Sequence, residues 1–491
     1  MSWKITGVLI YKGQIIMPIE LDVFLQPRSV AVIGATERPL SWGSFIMEGL
    51  LSFYYPGKIY PVNHHSSMVY GIRAYPDVKS IPDCVELAVL TVPEASVERV
   101  VQDCCEKGVK GITIITAGFG EAVEGGRARE EAIAKVARAH GVRIMGPNVS
   151  GTFNLHAGFN AFPRQHLLAT PLAGISQGGY AFGDLLDSGY GRGMGLGKFI
   201  HTGNECDLQV TDFLDYFGKD PQVRGIVMYV ETLRDGRRFL EVARQVGRDK
   251  PIILHKAGRT SSGIRAAKSH TGAMAGSKEV YGAALLQVNA ILSPSMELLL
   301  PLGHALIERP PLRGRRVAIV TMGGSWGVVL SDRLEEEGLI VPELSLSAQA
   351  NLRSLGMPPR ASTSNPVDIG AAGVMALSAE TLIEIGRVIV ASGEVDALIL
   401  HGLGREGFVR DETHAGRKIQ LDLEKQVMRG YDGLQREFRK PVILGSHHTS
   451  LESQTISELQ DEGFRVLNRL DEIAQILLWM YEYWRKIPEG E

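Results

Sequence analysis

Chemistry is concentrated in one stretch of this chain, Gly258-Arg-Thr-Ser-Ser-Gly-Ile-Arg-Ala-Ala-Lys-Ser-His-Thr-Gly-Ala-Met-Ala-Gly-Ser277. It follows an apolar run ending at Leu254 and Lys256, so it reads as a loop leaving the carboxyl end of a strand. Nearly every neighbour of His270 is small, and Arg259, Arg265 and Lys268 add positive charge. Gly263, Gly272 and Gly276 let the backbone approach a ligand closely. An imidazole so placed can accept a phosphoryl group and pass it on; the plainer alternative is a lone histidine on a surface loop.

Glu231 closes the apolar run Gly225-Ile-Val-Met-Tyr-Val-Glu231, where a carboxylate is costly unless paired. Bonded to one imidazole nitrogen, it would fix the tautomer and leave the other nitrogen to attack phosphorus. In Gly174-Ile-Ser-Gln-Gly-Gly179, the residues Ser176, Gln177, Gly178 and Gly179 form a candidate anion site at a helix start. A further glycine turn, Gly34-Ala-Thr-Glu-Arg-Pro-Leu-Ser-Trp-Gly43, could also cradle phosphates. It lacks the Gly-x-Gly-x-x-Gly pattern, and the next strand ends in Pro61-Val-Asn-His-His65 without the acid that grips an NAD ribose. NAD is therefore disfavoured, while NADP stays open. His447-His448 has no acidic or cysteine partner at ligand spacing and reads as solvent-exposed, so no bound metal is expected. No Gly-x-x-x-x-Gly-Lys-Ser/Thr phosphate loop occurs, which leaves the chain without an obvious nucleotide site.

These residues need a scaffold, and the chain supplies one by alternation. Strand-like runs Ser29-Val-Ala-Val-Ile33, Lys58–Val62, Leu87–Val92, Gly111–Ile115 and Val142–Met145 are separated by helical patterns. Such alternation predicts βαβ units and a mostly parallel, doubly wound sheet. The strand–glycine-turn opening at Val30 recurs at Ala173 and Val317, so three α/β units in series are expected. Glu308-Arg-Pro-Pro-Leu-Arg-Gly314 reads as a boundary.

With 491 residues, 44% apolar and 22% charged, the chain has the composition of a soluble globular protein of about three domains. Its 52 basic and 55 acidic residues give a net charge of −3, which offers no case for nucleic acid or an anionic membrane. No apolar run approaches the roughly 20 residues of a spanning helix. The N-terminus does not read as a signal peptide, and Met17 could be a natural start. Cys84, Cys104, Cys105 and Cys206 show no metal or disulfide spacing, which suits a reduced, cytoplasmic setting.

Taken together, these motifs make the chain resemble the nucleoside-diphosphate-forming acyl-CoA synthetases, α-subunit branch, distantly related to the succinyl-CoA synthetase α subunit. The resemblance runs from about Leu21 to the C-terminus. Its most specific piece is the core Ser269-His-Thr-Gly272, which matches the phosphohistidine loop, so that Ser269, Thr271 and Gly272 would contact phosphate around His270. Tyr229-Val-Glu231, with Asp235-Gly-Arg-Arg-Phe239, matches the strand bearing the glutamate that steadies that histidine, and Ser176-Gln177-Gly178 resembles the family's phosphate-binding helix start. Gly34, Ala35, Thr36, Ser41, Val62, Asn63, His64, Val92, Pro93, Ala117 and Gly118 fall on the CoA-binding motifs, and Ser364-Asn-Pro-Val-Asp368 on a motif of the third domain.

The resemblance implies an N-terminal extension (1–20) followed by three consecutive doubly wound domains: a Rossmann-like CoA-binding domain (21–150), a ligase domain with the phosphohistidine loop (151–310) and a third, flavodoxin-like ligase domain (311–491). It implies acyl-CoA and phosphate as substrates, acyl phosphate and phospho-His270 as intermediates, and ADP or GDP with Mg on a separate ATP-grasp β subunit, possibly as α2β2. The chain departs from the family pattern at Trp42, His64, Val149, Gly178, Met322 and Trp326. A catalytically drifted CoA-binding regulator is the alternative, and an NADP-dependent oxidoreductase a third.

Overall fold

Three runs of consecutive buried residues are the first parallel strands of the three units: β1 (Ser29–Ile33), β8 (Leu172–Ser176) and β13 (Val317–Thr321). Burial on both faces is what a parallel strand covered by helices requires, and it explains their unbroken apolar character. A computed structural model describes residues 9–11, 14–16, 21–122, 124–265, 278–405 and 415–488.

The first sheet contains β1, β2 (Lys58–Val62), β3 (Leu87–Leu90), β4 (Gly111–Ile114) and β5 (Arg143–Met145), in the order β2-β1-β3-β4-β5 and all parallel. Its helices are α1 (Trp42–Ser52), α2 (Val97–Lys107) and α3 (Gly126–Ala139). The second sheet opens with the antiparallel pair β6 (Thr152–Asn154) and β7 (Phe159–Ala161). It continues with β8, β9 (Lys198–His201), β10 (Gly225–Val230), β11 (Ile252–Lys256) and β12 (Ile291–Leu292), in the order β7-β6-β9-β8-β10-β11-β12. Helices α4 (Tyr180–Tyr190), α5 (Val210–Lys219), α6 (Gly236–Val246), α7 (Lys278–Leu286) and α8 (Leu299–Glu308) belong to it. The third sheet has β13, β14 (Val367–Asp368), β15 (Ala397–His401), β16 (Val442–Gly445) and β17 (Val466–Leu467), in the order β14-β13-β15-β16-β17.

Counted within each unit, the parallel strands of all three sheets run 2-1-3-4-5. That order places a crevice beyond the carboxyl ends of strands one and three. The α/β class and the doubly wound units expected from alternation are present. Among the elements not expected are β9, only four residues long, and α5, whose start is marked by a Gln209–Asp212 capping box. Helix α3 begins at Gly126 and leaves the charged Glu121 outside it. The Glu121 carboxylate instead accepts hydrogen bonds from the Gly118 and Phe119 N–H groups.

The apolar interior is layered. One cluster covers the outer face of the first sheet with α2 and α3. A second fills the space between the first and second sheets with α1, α5 and α6. A third is shared by the second and third sheets through α4, α8, α9 (Gly324–Glu336) and the closing helix α15 (Leu470–Trp484). The last lies on the outer face of the third sheet, under α10 (Leu346–Ser354), α12 (Ala379–Ala391), α13 (Ala415–Phe438) and α14 (Gln454–Asp461), with α11 (Gly370–Ala376) nearby in sequence. Among the described residues no helix is long and apolar enough to cross a membrane.

Candidate active site

Strand β8 delivers Ser176 to the crevice of the second unit, where the chain turns through Gly179 into α4. The Ser176 hydroxyl donates to the Gly178 carbonyl and closes the turn. Gln177 is 6% exposed and its carboxamide is fully engaged. Oε1 accepts from the N–H groups of Glu231 (2.7 Å) and Thr232 (2.9 Å), and Nε2 donates to the Thr232 carbonyl (2.8 Å). The side chain is a clamp between the turn and the end of β10, which leaves backbone groups to meet a ligand.

Two glycines follow because two rings leave no room for anything larger. A Cβ on Gly178 would lie 2.6 Å from the Tyr229 ring, and one on Gly179 would lie 2.8 Å from the His201 ring. Beneath Gly178 sits Glu231, buried, with the Tyr229 hydroxyl 3.4 Å from Oε1. Burial, and then the neighbouring carboxylate, raise the Tyr229 pKa, so the phenol stays protonated beside Glu231. Lys256 ends β11 and is 1% exposed; its ammonium donates to the Ala257 carbonyl and lies 4.9 Å from the Tyr281 ring centre. Burial lowers its pKa against the opposing pull of Glu231.

The residues expected to contact CoA gather at the strand ends of the first sheet. Gly34 has φ +96°, and a Cβ there would be 2.7 Å from the Thr91 hydroxyl. The Ala35 carbonyl accepts from Asn63 Nδ2 (2.8 Å), while Asn63 Oδ1 accepts from the His65 and Ser66 N–H groups. Asn63 thus ties the loop after β2 to the turn after β1. The Thr36 hydroxyl accepts from the Arg38 N–H, and Ser41 caps α1 through the Ser44 N–H. Val62 is buried and its carbonyl accepts from the Gly34 N–H, whereas His64 is exposed. The Val92 carbonyl accepts from the Thr116 hydroxyl (2.7 Å), next to Pro93, Ala117 and Gly118.

The two sets meet. Val92 and Ala117 from the first unit and Gln177 and Gly179 from the second line one cavity of about 400 Å³, with Trp42 and His201 in its wall. Gly34, Ala35, Thr36, Ser41, Val62, Asn63, His64, Pro93 and Gly118 lie outside that cavity wall. Ser269, His270, Thr271 and Gly272 lie outside the described residues.

Two residues of the site were invisible in the sequence. His201 ends β9 and is 3% exposed, with Nδ1 2.6 Å from the Ser150 backbone nitrogen and Nε2 2.9 Å from the Gln177 carbonyl oxygen. Glu205 is buried behind it and accepts from the Thr202 hydroxyl (3.0 Å) and the Val210 N–H (2.9 Å). Burial pushes its carboxyl up to about 7, against hydrogen bonds from Gln177, Val210 and Thr202. The signal for both was faint: short polar residues after a four-residue strand. In the third unit, Asn365 binds the backbone of Val317, Ile319 and Pro342, so that part of the Ser364–Asp368 motif holds the sheet together. Of the pair expected to be exposed, His447 is exposed and His448 half-buried, and the His447 ring stacks on Trp326 with centroids 4.7 Å apart. Among the described residues no cluster of three or more His, Cys, Asp or Glu is arranged to hold a metal.

Residues 28–153 match the family described as a CoA binding domain, and residues 169–306 match the succinyl-CoA ligase like flavodoxin domain. The α subunit of acetate–CoA ligase [ADP-forming] II from Pyrococcus furiosus is 38% identical over 379 residues, covering 77% of this chain and 81% of that one. The chain belongs to the ADP-forming acetate–CoA ligase family. A solved member, the acetyl-coenzyme A synthetase 1 of Ca. Korarchaeum cryptofilum in complex with phosphate and ADP, superposes with a TM-score of 0.80. It is 30% identical and covers 96% of this chain and 98% of its own. The acetate–CoA ligase [ADP-forming] of Methanocaldococcus jannaschii is 37% identical over 351 residues, 71% of this chain and 49% of that protein. The aligned part of this chain therefore spans about half the length of that family member.

Proposed function

We propose that the chain is the CoA-binding, phosphohistidine-carrying subunit of an ADP-forming acyl-CoA ligase. The observation that carries this reading is the common cavity: the strand ends of a CoA-binding unit and the anion turn of a ligase unit open into one space. In the ATP-forming direction a phosphate oxygen attacks the thioester carbonyl and CoA leaves as the thiolate, giving acyl phosphate. One imidazole nitrogen of His270 then attacks phosphorus and the carboxylate of the free acid leaves. Phospho-His270 finally passes its phosphoryl group to a terminal oxygen of ADP or GDP and is restored.

Each group has a task in that sequence. Backbone N–H groups at the start of α4 face the phosphate, favoured by the helix dipole. Glu231 accepts from one nitrogen of His270, fixing the tautomer that attacks. Ser269, Thr271 and Gly272 are assigned to contacts with the phosphoryl group, and the CoA set of the first unit to the thioester's nucleotide and pantetheine. The domain limits 21–150, 151–310 and 311–491 are assigned with it.

Relatives described as α subunits support a separate chain for the nucleotide step. We assign that step to an ATP-grasp β subunit holding ADP or GDP and Mg, in an α2β2 arrangement in the cytoplasm. The test is phosphoryl labelling. Wild type and His270→Ala are incubated with acyl-CoA and labelled phosphate, and with labelled ATP or GTP plus the β chain. Acid-labile, base-stable label on wild type alone is expected. Label of equal strength on both would move the chemistry off His270. Gly178, which offers no hydroxyl to the turn, favours one competing reading, a CoA-binding regulator. Tight CoA binding with no label under any condition would select it.

A further inference from the structure

The cavity has two walls from two units, and the His201 side chain bridges them beside the Asn148–Asn204 and Ile144–Asp207 bonds. His201 sits at the end of β9, paired in register with Ser176 at the end of β8. Its Nδ1 is 2.6 Å from the Ser150 backbone nitrogen and 2.8 Å from the Ser150 hydroxyl. The Ser150 N–H can only donate, so Nδ1 carries the lone pair and the proton resides on Nε2. That proton points at the Gln177 carbonyl, 2.9 Å away. Ser150 ends the loop that leaves β5 through Gly146-Pro-Asn148, and Asn148 and Ser150 both line the cavity.

A continuous line of contacts results: the loop of the first unit, the His201 ring, the Gln177 backbone, the Gln177 carboxamide and the backbone of Glu231. His201 is 3% exposed, Ser150 5% and Gln177 6%, so water does not compete for these bonds. The fit is close on the open side too, because a Cβ on Gly179 would lie 2.8 Å from the ring. Both ring nitrogens are occupied by backbone groups, which excludes His201 as an acid or base.

We propose that His201 is a positioning residue that locks the CoA-side loop and the anion turn at one spacing, so that CoA and phosphate each prearrange the site for the other. It acts through Ser150 and Gln177. The inference rests on the reading of the cavity as the place where a CoA thioester meets phosphate.

The test is calorimetry on the full chain, titrating CoA with and without inorganic phosphate and phosphate with and without CoA. Wild type is expected to bind each ligand about fivefold or more tightly in the presence of the other, and by the same factor both ways. His201→Phe keeps the ring volume but neither nitrogen. It should still bind each ligand alone and lose the coupling between them. His201→Asn, whose Oδ1 can accept from the Ser150 N–H, should recover part of it.

Coupling that survives in His201→Phe would overturn the inference, as would a wild type with no coupling. Loss of single-ligand binding in step with the coupling would also overturn it, and so would failure of both variants to fold in thermal melts. None of these readouts uses His270. A wild type that couples the two ligands but takes up no label would sink the transfer reading and leave this one standing.

Discussion

The second and third units repeat one architecture and differ in what they hang on it. In the second, Ser176 pairs in register with Tyr229 and with His201; in the third, Thr321 pairs with His401 and with Asp368. The Ser176 hydroxyl closes its turn on the Gly178 carbonyl, and the Thr321 hydroxyl does the same on Gly323 at 3.0 Å. Beyond these shared bonds the units part. Gln177 reaches across to bind the backbone at Glu231, whereas its counterpart Met322 packs into the apolar core. Where Tyr229 stands beside a buried carboxylate, His401 stands 5.7 Å from the Trp326 ring. His401 Nδ1 is buried with no hydrogen-bond partner among the described residues. The same turn is thus a clamped, polar site in one unit and an aromatic wall in the other: the fold supplies the crevice, and a few side chains decide its chemistry.

Making the second unit like the third should break the comparison most visibly. Gln177→Met removes the acceptor of two backbone N–H groups, each costing about 1–3 kcal/mol when left buried and unpaired. Phosphoryl labelling should fall on the order of a hundredfold, measured as an initial rate at saturating acyl-CoA. The reverse change, Met322→Gln, should leave that rate within about twofold.

The next contrast is in pH dependence, where the two units should respond with opposite sign. Glu205 in the second unit is held protonated up to about 7. Its folded form keeps a proton the unfolded chain releases near 4.5, so its contribution is full below 4.5 and is lost as pH rises through 7. His401 in the third unit is pushed down to about 4 by burial, then by Arg405 and His447. Its contribution is full above 6.5 and is lost as pH falls through 4, at most roughly 3 kcal/mol in all. Denaturant unfolding of Glu205→Gln and His401→Gln against wild type, from pH 4 to 8, should flatten the alkaline and acid sides respectively. Flattening on the same side in both would refute the assignment.

The smallest effect concerns the glycines. An alanine at Gly178 meets the Tyr229 ring at 2.6 Å and should cost about 1–3 kcal/mol, relieved when Tyr229→Ala is added. At Gly323 the nearest atom, 3.0 Å away, is the far end of Arg405, which can swing aside. Gly323→Ala should cost less than about 1 kcal/mol in the same melts.

What the sequence told, and what it withheld, follows from the range of the interactions. Strands such as Ser29–Ile33 and Lys58–Val62 were legible because burial on one or both faces imposes a local pattern. Glu231 was legible as a charge at the end of an apolar run. His201 and Glu205 were not, since their partners are 51 and only 3 to 5 positions away in contacts that no periodicity encodes. Gln177 read as a ligand for phosphate, while its carboxamide turns out to grip Glu231 and Thr232, a pairing 54 and 55 positions long. Gly178 and Gly179 read as part of an anion site, and nothing in the sequence signalled that a Cβ on either would meet the Tyr229 or His201 ring.

The layered interior has a mechanical consequence. Apolar clusters run without a break from the first sheet into the second, and from the second into the third. Interiors packed like organic crystals transmit load instead of absorbing it. The three units, though threaded like beads along the chain, therefore bear on one another as a single stiff beam. A relative movement of two neighbouring units would have to open the apolar layer they share.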